Sequence, residues 1–160
     1  MSYEITPIRS DFLTQVRKTG IDDLGQPVEY IEAEGGEPCR DVLRRALVGE
    51  KLILASYSPF EIAGPYKEYG PIFVLENASD ERVDYANLPL ANAGVADYLA
   101  QVFVIKAYCQ NERIVDARLS TPLEVESDLN YFLSKDGVDF VLVRFAAYGC
   151  YGFRLDPIRG

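Results

Sequence analysis

The chain of 160 residues contains no histidine. Histidine is the residue whose ordinary pKa lies nearest to neutral pH, and it is the base of the Ser-His-Asp and Cys-His catalytic systems. Its absence excludes those systems within one chain, together with histidine-ligated zinc. The three cysteines, Cys39, Cys109 and Cys150, lie far apart and include no CxxC pair. We therefore predict no metal site, no disulfide and no cofactor.

Basic side chains are also scarce. The chain has 16 Lys and Arg residues against 25 Asp and Glu residues, a net charge of −9, and neither half of it is basic. Proteins bind nucleic acids through clustered Lys and Arg side chains that neutralise phosphates. We therefore predict that this acidic protein binds neither DNA nor RNA, and no anionic membrane.

Long apolar runs are missing as well. No run approaches the ~20 residues of a membrane-spanning helix, and the first residues lack the basic and apolar regions of a secretory signal. The expected compartment is the cytoplasm. An apolar fraction of 48% over this length is sufficient for a self-supporting core. We expect one domain over residues 1–160.

The hydrophobic patterns predict strands interrupted by a few short helices. Helices are predicted over residues 10–20, over residues 41–47, and after a capping box at 121–124 as far as Gly137. Strands are predicted over residues 3–8, 28–33, 51–56, 71–75, 101–109, 113–119, 138–145 and 150–155. Residues 78–94 are polar and irregular. The predicted fold is α+β, a single domain with a mostly antiparallel sheet and two or three short helices packed on it.

An unusually long connection joins two of the predicted strands. Residues 57–70 contain four aromatic residues, two prolines and two glycines. Loops longer than about 12 residues are uncommon in compact domains and are often functional, and this composition argues against disorder. The segment, called the aromatic loop below, is predicted to be ordered and to be the most favourable place for a site.

Short motifs follow one another in a fixed order from residue 38 onward: Pro38-Cys39-Arg40, Gly49-Glu50, Leu54, Ser56-Tyr57, Pro65-Tyr66, Gly70-Pro71-Ile72-Phe73-Val74 and Gly149-Cys150-Tyr151. This set resembles a bacterial family called domain of unknown function 1203. The resemblance implies a small single-domain protein, and it brings no activity from which functional residues could be assigned. Histidines are expected in many relatives just before the Ile-Phe-Val run and the Gly-Cys-Tyr motif, where this chain has none.

Two arginines are candidates for binding an acidic group. Arg40 precedes a predicted helix, whose first amide groups could help the guanidinium to hold a phosphate or a carboxylate. Arg144 lies in an apolar strand, where a charge must be paired or exposed. The structural alternatives are that Arg40 pairs with a carboxylate and that Arg144 faces outward from a half-exposed strand.

The tyrosines of the aromatic loop are the second set of candidates. Tyr57, Tyr66 and Tyr69, with Tyr151 near the C-terminus, offer large amphipathic surfaces for a ligand or a protein. Alternatively, they pack the loop onto the sheet. Cys150, and also Cys39, could be nucleophiles if a neighbouring cation activated them, although free cysteine is more often a small buried apolar residue.

Two hypotheses follow from these residues. In the first, a pocket lies where the aromatic loop meets the Gly149-Cys150-Tyr151 strand. It would bind a small anionic or aromatic molecule through Arg40 and Arg144 and could be enzymatic. In the second, the aromatic loop is a non-catalytic contact surface for a protein partner or for a homodimer. A concave, arginine-lined cleft would favour the first hypothesis, and a flat patch of exposed tyrosines would favour the second.

Overall fold

The computed structural model describes residues 2–90 and 98–159, and within them the chain forms ten strands and two helices. The helices are α1 (Ser10–Thr19) and α2 (Val125–Leu133). The strands are β1 (Tyr3–Thr6), β2 (Glu29–Glu32), β3 (Pro38–Cys39), β4 (Arg44–Arg45), β5 (Lys51–Tyr57), β6 (Gly70–Leu75), β7 (Phe103–Tyr108), β8 (Ile114–Ser120), β9 (Phe140–Phe145) and β10 (Tyr151–Pro157).

The strands form two five-stranded sheets. Sheet I has the order β1-β10-β9-β7-β8, and every neighbouring pair in it is antiparallel. Sheet II has the order β2-β5-β6-β3-β4, and it is antiparallel except where β3 runs parallel to β6 at Cys39 and Phe73. Sheet I joins β1 to four strands from the second half of the chain, whereas all strands of sheet II lie between residues 29 and 75. The formation of sheet I therefore depends on contacts between residues far apart in the sequence.

Sheet I is covered on both faces, which explains why all six residues of β9 are buried. Alternate residues of a strand point to opposite faces of its sheet. Phe140 and Leu142 join the core shared with sheet II and α1. Val141 and Val143 belong instead to the core that α2 covers. A strand buried on both faces reads as a continuous apolar run, and this is the pattern of residues 140–145.

Helix α1 closes one side of the core between the sheets. Phe12 and Val16, one helical turn apart, are fully buried and pack with Ile53 of β5. The helix ends at Gly20, whose φ of 67° is left-handed and whose N–H donates to the carbonyl of Val16 at 3.1 Å. Such a C-terminal turn favours glycine because it lacks a Cβ.

The predicted α+β class is wrong, because the described residues form mainly two β-sheets. The helix predicted over residues 41–47 is absent from the structure. The chain turns at Leu43, which has a positive φ of 51°, and then returns as β4 to pair with β3. Hydrophobic spacing suggested two helical turns there, but the β3–β4 pairing and contacts with β6 dominate over this weak local preference.

The boundaries of several elements also differ from prediction by a few residues. Thr121 forms no side-chain cap within the described residues; only its carbonyl accepts hydrogen bonds, and α2 begins at Val125. The strand predicted from residue 101 begins at Phe103. Of the irregular segment predicted at 78–94, residues 91–94 lie outside the described residues.

None of the described helices is long and apolar enough to cross a membrane.

Candidate ligand-binding cleft

A cleft of about 740 Å³ opens where three segments meet. One wall is the turn between β2 and β3, and another is formed by the facing ends of β5 and β6 with the last residues of the aromatic loop. The third wall is the hairpin between β9 and β10. Six of the seven predicted site residues line this cleft, namely Arg40, Tyr57, Tyr69, Arg144, Cys150 and Tyr151. Tyr66 does not.

The β9–β10 hairpin has a geometry that depends on two glycines. Gly149 has a φ of 73°, and its N–H donates to the carbonyl of Phe145 at 2.8 Å. A bulge then shifts the register after Tyr151. A Cβ at Gly152 would lie 2.9 Å from the carbonyl oxygen of Val143, so the close strand approach there requires glycine. The hairpin thereby places Cys150 and Tyr151 on the cleft wall.

Arg40 lies at the inner end of the cleft and is only 3% exposed. Its Nε donates to the carbonyl of Tyr151 at 2.8 Å, its Nη1 to the carbonyl of Pro38 at 2.7 Å, and its Nη2 contacts Sγ of Cys150 at 3.1 Å. Its guanidinium also lies 5.1 Å from the ring centre of Phe145. Because Pro38 is in sheet II and Tyr151 in sheet I, Arg40 links the two sheets.

The charge of Arg40 has no acidic counterpart among residues 2–90 and 98–159. All its side-chain hydrogen bonds go to carbonyl groups and a thiol, and none of the ion pairs of the described residues includes it. Arg40 therefore does not pair with a carboxylate of the described residues, as the alternative in the sequence analysis supposed. Arginine has five N–H donors, so two of them have no partner in the described chain.

Arg144 is also buried, at 9% exposure, and it does not face outward as the structural alternative supposed. Its Nη1 donates to the carbonyl of Gly149 at 3.3 Å, and its Nη2 lies 2.8 Å from Oε2 of Glu68. That ion pair lacks hydrogen-bond alignment, and neither Nε nor Nη2 has a hydrogen-bond partner among the described residues. A buried donor without a partner costs about 1–3 kcal/mol.

The hydroxyl of Tyr108 is the third buried polar atom without a well-aligned hydrogen bond in the described structure, and it lies against the guanidinium of Arg144. Burial raises the pKa of Tyr108 above its usual range, while the positive charge of Arg144 acts in the opposite direction. Tyr108 is held in place by stacking on Phe140, with ring centres 5.2 Å apart. Buried polar groups normally have hydrogen-bond partners, so a group without one calls for an explanation, such as a functional role or a bound water molecule or ion.

Tyr57 and Tyr151 form the aromatic floor of the cleft. Their ring centres are 5.3 Å apart, and both residues are at most 5% exposed. Burial raises the pKa of both hydroxyls above 10, so both tyrosines are neutral at pH 7. The Tyr57 hydroxyl accepts a long hydrogen bond, 3.5 Å, from the backbone N–H of Arg9. Tyr69 is 42% exposed and stands at the rim of the cleft.

Tyr66 faces a different depression, of about 300 Å³, where the guanidinium of Arg113 lies 5.5 Å from its ring centre. The loop that carries it is held by Glu112, which lies between the strands predicted at 101–109 and 113–119 and was not predicted as a site residue. The Glu112 carboxylate is 8% exposed and accepts hydrogen bonds from the backbone N–H groups of Glu61 and Ile62. A lone glutamate in a hairpin turn gives no sequence signal for this role.

The two cysteines considered as nucleophiles have different environments. Cys39 is fully buried, and burial raises the pKa of its thiol to about 12, which leaves it protonated and unreactive. Cys150 is partly exposed and lines the cleft beside Arg40. The geometry therefore keeps only Cys150 as a candidate for chemistry in the cleft.

Sequence reasoning missed several residues of the cleft. Phe145 lies under the guanidinium groups of both Arg40 and Arg45. Glu37 accepts hydrogen bonds from the backbone N–H groups of Glu34 and Gly35; burial opposes its ionisation, but these bonds outweigh it and lower its pKa. The sequence carries a weak signal, because a Gly-Gly pair such as Gly35-Gly36, just before the Pro-Cys-Arg motif, is typical of a turn.

The fold and the cleft define a two-sheet β protein with an arginine-lined cleft between its sheets. The sequence profile of the family described as Protein of unknown function (DUF1203) matches residues 36–156, and the chain belongs to that family. The resemblance noted from the motifs is thereby confirmed. No curated protein and no solved structure matches the chain significantly. The matched span contains all seven predicted site residues.

Proposed function

We propose that the cleft binds a small anionic molecule that also presents an apolar or aromatic surface, and that Arg40 binds its acidic group. The observation that carries this proposal is the buried guanidinium of Arg40, which has no carboxylate partner among the described residues. Buried charges are normally paired. An anionic ligand would supply the missing counter-charge and could accept hydrogen bonds from the two remaining N–H groups of Arg40.

The walls of the cleft suit the rest of such a molecule. The rings of Tyr57, Phe145 and Tyr151, with the edge of Tyr69, provide flat apolar surface close to the guanidinium. Binding sites for small molecules commonly have volumes of about 300–1,000 Å³ and combine apolar walls with a few polar anchors. The cleft, at about 740 Å³, falls within that range.

The second candidate function is a contact surface on the aromatic loop, used for a protein partner or a homodimer. Its support is the exposure of Ile62, Tyr66 and Tyr69, at 46%, 36% and 42%. However, Tyr66 and Tyr69 line different depressions rather than one flat patch. The concave, arginine-lined geometry favours the ligand-binding proposal. Replacing both tyrosines by serine should change self-association, measured by sedimentation, only if the second candidate is right.

The test of the proposed function is a thermal-shift screen of benzoate, inorganic phosphate and adenosine monophosphate, followed by calorimetry of any compound that stabilises the protein. A ligand at 100 times its Kd adds about 2.7 kcal/mol to the stability of the folded state. Arg40→Lys keeps the charge but loses the forked donor geometry, so it should lower the affinity by about tenfold or more. Arg113→Lys, on an exposed arginine outside the cleft, is the matched control and should change nothing.

Two results would contradict the proposal. One is that none of the anionic compounds stabilises the wild-type protein. The other is that a stabilising anion binds Arg40→Lys and Arg113→Lys with equal affinity, because the acidic group would then not lie on Arg40.

A further inference from the structure

The guanidinium of Arg144, a residue that lines the cleft, has one edge whose nitrogens form no aligned hydrogen bond. Nε and Nη2 lie on the same side of an arginine head, and together they form the edge that binds a carboxylate through two parallel hydrogen bonds. In Arg144 these two nitrogens are buried and have no hydrogen bond within the described residues. The nearby carboxylate of Glu68 approaches Nη2 at 2.8 Å but is aligned with neither nitrogen.

Arg144 and Arg40 converge on the same hairpin. Arg144 Nη1 donates to the carbonyl of Gly149, and Arg40 Nη2 contacts the thiol of the next residue, Cys150. All four residues line the cleft. Two buried guanidinium groups therefore approach adjacent residues within one cleft, and only that of Arg144 forms an ion pair with a carboxylate among the described residues.

We infer that Arg144 is a second anion-binding point, which Glu68 covers as an internal carboxylate, and that the ligand of the cleft carries two acidic groups. One acidic group would bind Arg40, and the other would replace Glu68 on the Nε–Nη2 edge of Arg144. This inference rests on the proposed function for the Arg40 half of the site. It adds the class of ligand, a dicarboxylate or a similar dianion, and a contact that the ligand displaces.

The two partners differ in how easily they can separate. The side chain of Glu68 is 43% exposed, whereas that of Arg144 is 10% exposed. Glu68 lies near the end of the aromatic loop, and water can solvate its carboxylate once it turns away. Arg144 is fixed in the middle of sheet I, between β7 and β10, and cannot follow. Displacement thus moves only a rim residue, and a well-aligned ligand carboxylate would make two hydrogen bonds that Glu68 does not make.

The test is calorimetric titration with succinate, glutarate and adipate, compared with butyrate as a monoacid. Glu68→Gln should increase the affinity for the best diacid by about tenfold, since the competing carboxylate is gone. The affinity for butyrate, which needs only Arg40, should change little. Glu34→Gln is the matched control, because Glu34 also lines the cleft and its loss removes the same charge away from Arg144. The gain should disappear in the double variant Glu68→Gln/Arg144→Lys.

The outcomes separate the inference from the function on which it rests. If butyrate binds through Arg40 but Glu68→Gln gives no gain for any diacid, the second anion point is wrong and the proposed function survives. An equal gain in Glu34→Gln and Glu68→Gln would mean that net charge alone acts, which also overturns the inference. An equal gain for butyrate and the diacids would overturn the two-acid ligand. If no acid binds to any variant, the inference fails, and the proposed function fails with it when benzoate, phosphate and adenosine monophosphate also leave the wild-type protein unstabilised.

Discussion

Replacing Arg40 by alanine tests whether this residue links the two sheets. The substitution removes hydrogen bonds to the carbonyls of Tyr151 and Pro38 and leaves both carbonyls without that partner. A hydrogen bond to a charged group contributes about 1.5–3 kcal/mol. Part of this lost stability is offset, because the substitution also removes the desolvation cost of a buried charge that has no counter-charge. We expect a net loss of about 3 kcal/mol in the free energy of unfolding.

This loss is large against the total stability of about 5–15 kcal/mol that is usual for a domain. It corresponds to a fall in Tm of roughly 6–12 °C for a chain of this length. Urea denaturation, followed by tyrosine fluorescence and by circular dichroism, would measure it. Arg113→Ala is the control, since exposed substitutions usually change stability by less than about 0.5 kcal/mol. A loss below about 1 kcal/mol for Arg40→Ala would refute the idea that its bonds hold the sheets together.

Three further outcomes are expected. Gly152→Ala should lower the free energy of unfolding by about 1–3 kcal/mol through overpacking, because its Cβ would lie 2.9 Å from a backbone oxygen. Gly70→Ala is the control and should be near neutral in the same urea assay, since a Cβ there meets nothing within 4 Å. Hydrogen bonding and ion pairing with Arg44 lower the pKa of Glu50 from 4.5 to about 2. The contribution of Glu50 to the free energy of unfolding is therefore complete above pH 4.5 and is lost as the pH falls towards 2. The urea midpoint of Glu50→Gln should not show this pH-dependent decrease. In the folded protein, iodoacetamide should label Cys150 but not the buried Cys39, as peptide mass spectrometry would show; labelling of Cys39 at native pH would contradict its burial.

The strands were predictable where the apolar pattern is long. Residues 51–56, 71–75 and 138–145 were predicted as strands and form β5, β6 and β9 with small boundary differences. Their hydrophobic residues are buried by long-range pairing, and the pattern is strong enough to show this. The aromatic loop was also predicted to be ordered, and hydrogen bonds from its backbone to Glu112 and Asp23 hold it.

The division into two sheets was not predictable from the same patterns. Residues 38–39 and 44–45 are too short to show any periodicity, yet they form the strands that complete sheet II. The helical spacing of residues 41–47 is a local signal, and the tertiary pairing of β3 with β4 and β6 overrides it. A single-sheet α+β arrangement was the simplest reading of a pattern that does not encode which strands share a sheet.

Six of the seven residues predicted for the site line one cleft, but their contacts were not predictable from the sequence. The motifs that carry the family resemblance supplied Arg40, Tyr57, Cys150 and Tyr151, which line one cleft, and also Tyr66, which lies outside it. The partners of Arg40 are backbone carbonyls, which leave no trace in a sequence. For the same reason a sequence cannot distinguish an arginine paired with a carboxylate from one whose charge is unbalanced.

Arg40 has a structural role and a proposed binding role, and this affects how each variant is to be interpreted. Its loss should weaken both the link between the sheets and the affinity for an acid, so a decrease in binding in Arg40→Ala alone does not separate the two. Glu68 provides the separation, because it stands at the rim, is 43% exposed, and contacts Arg144 rather than Arg40. A change at Glu68 that alters the affinity for a diacid more than Glu34→Gln does, while leaving the urea midpoint unchanged, acts through the contact with Arg144 in the cleft. The two residues together therefore test the site from its buried end and from its open end.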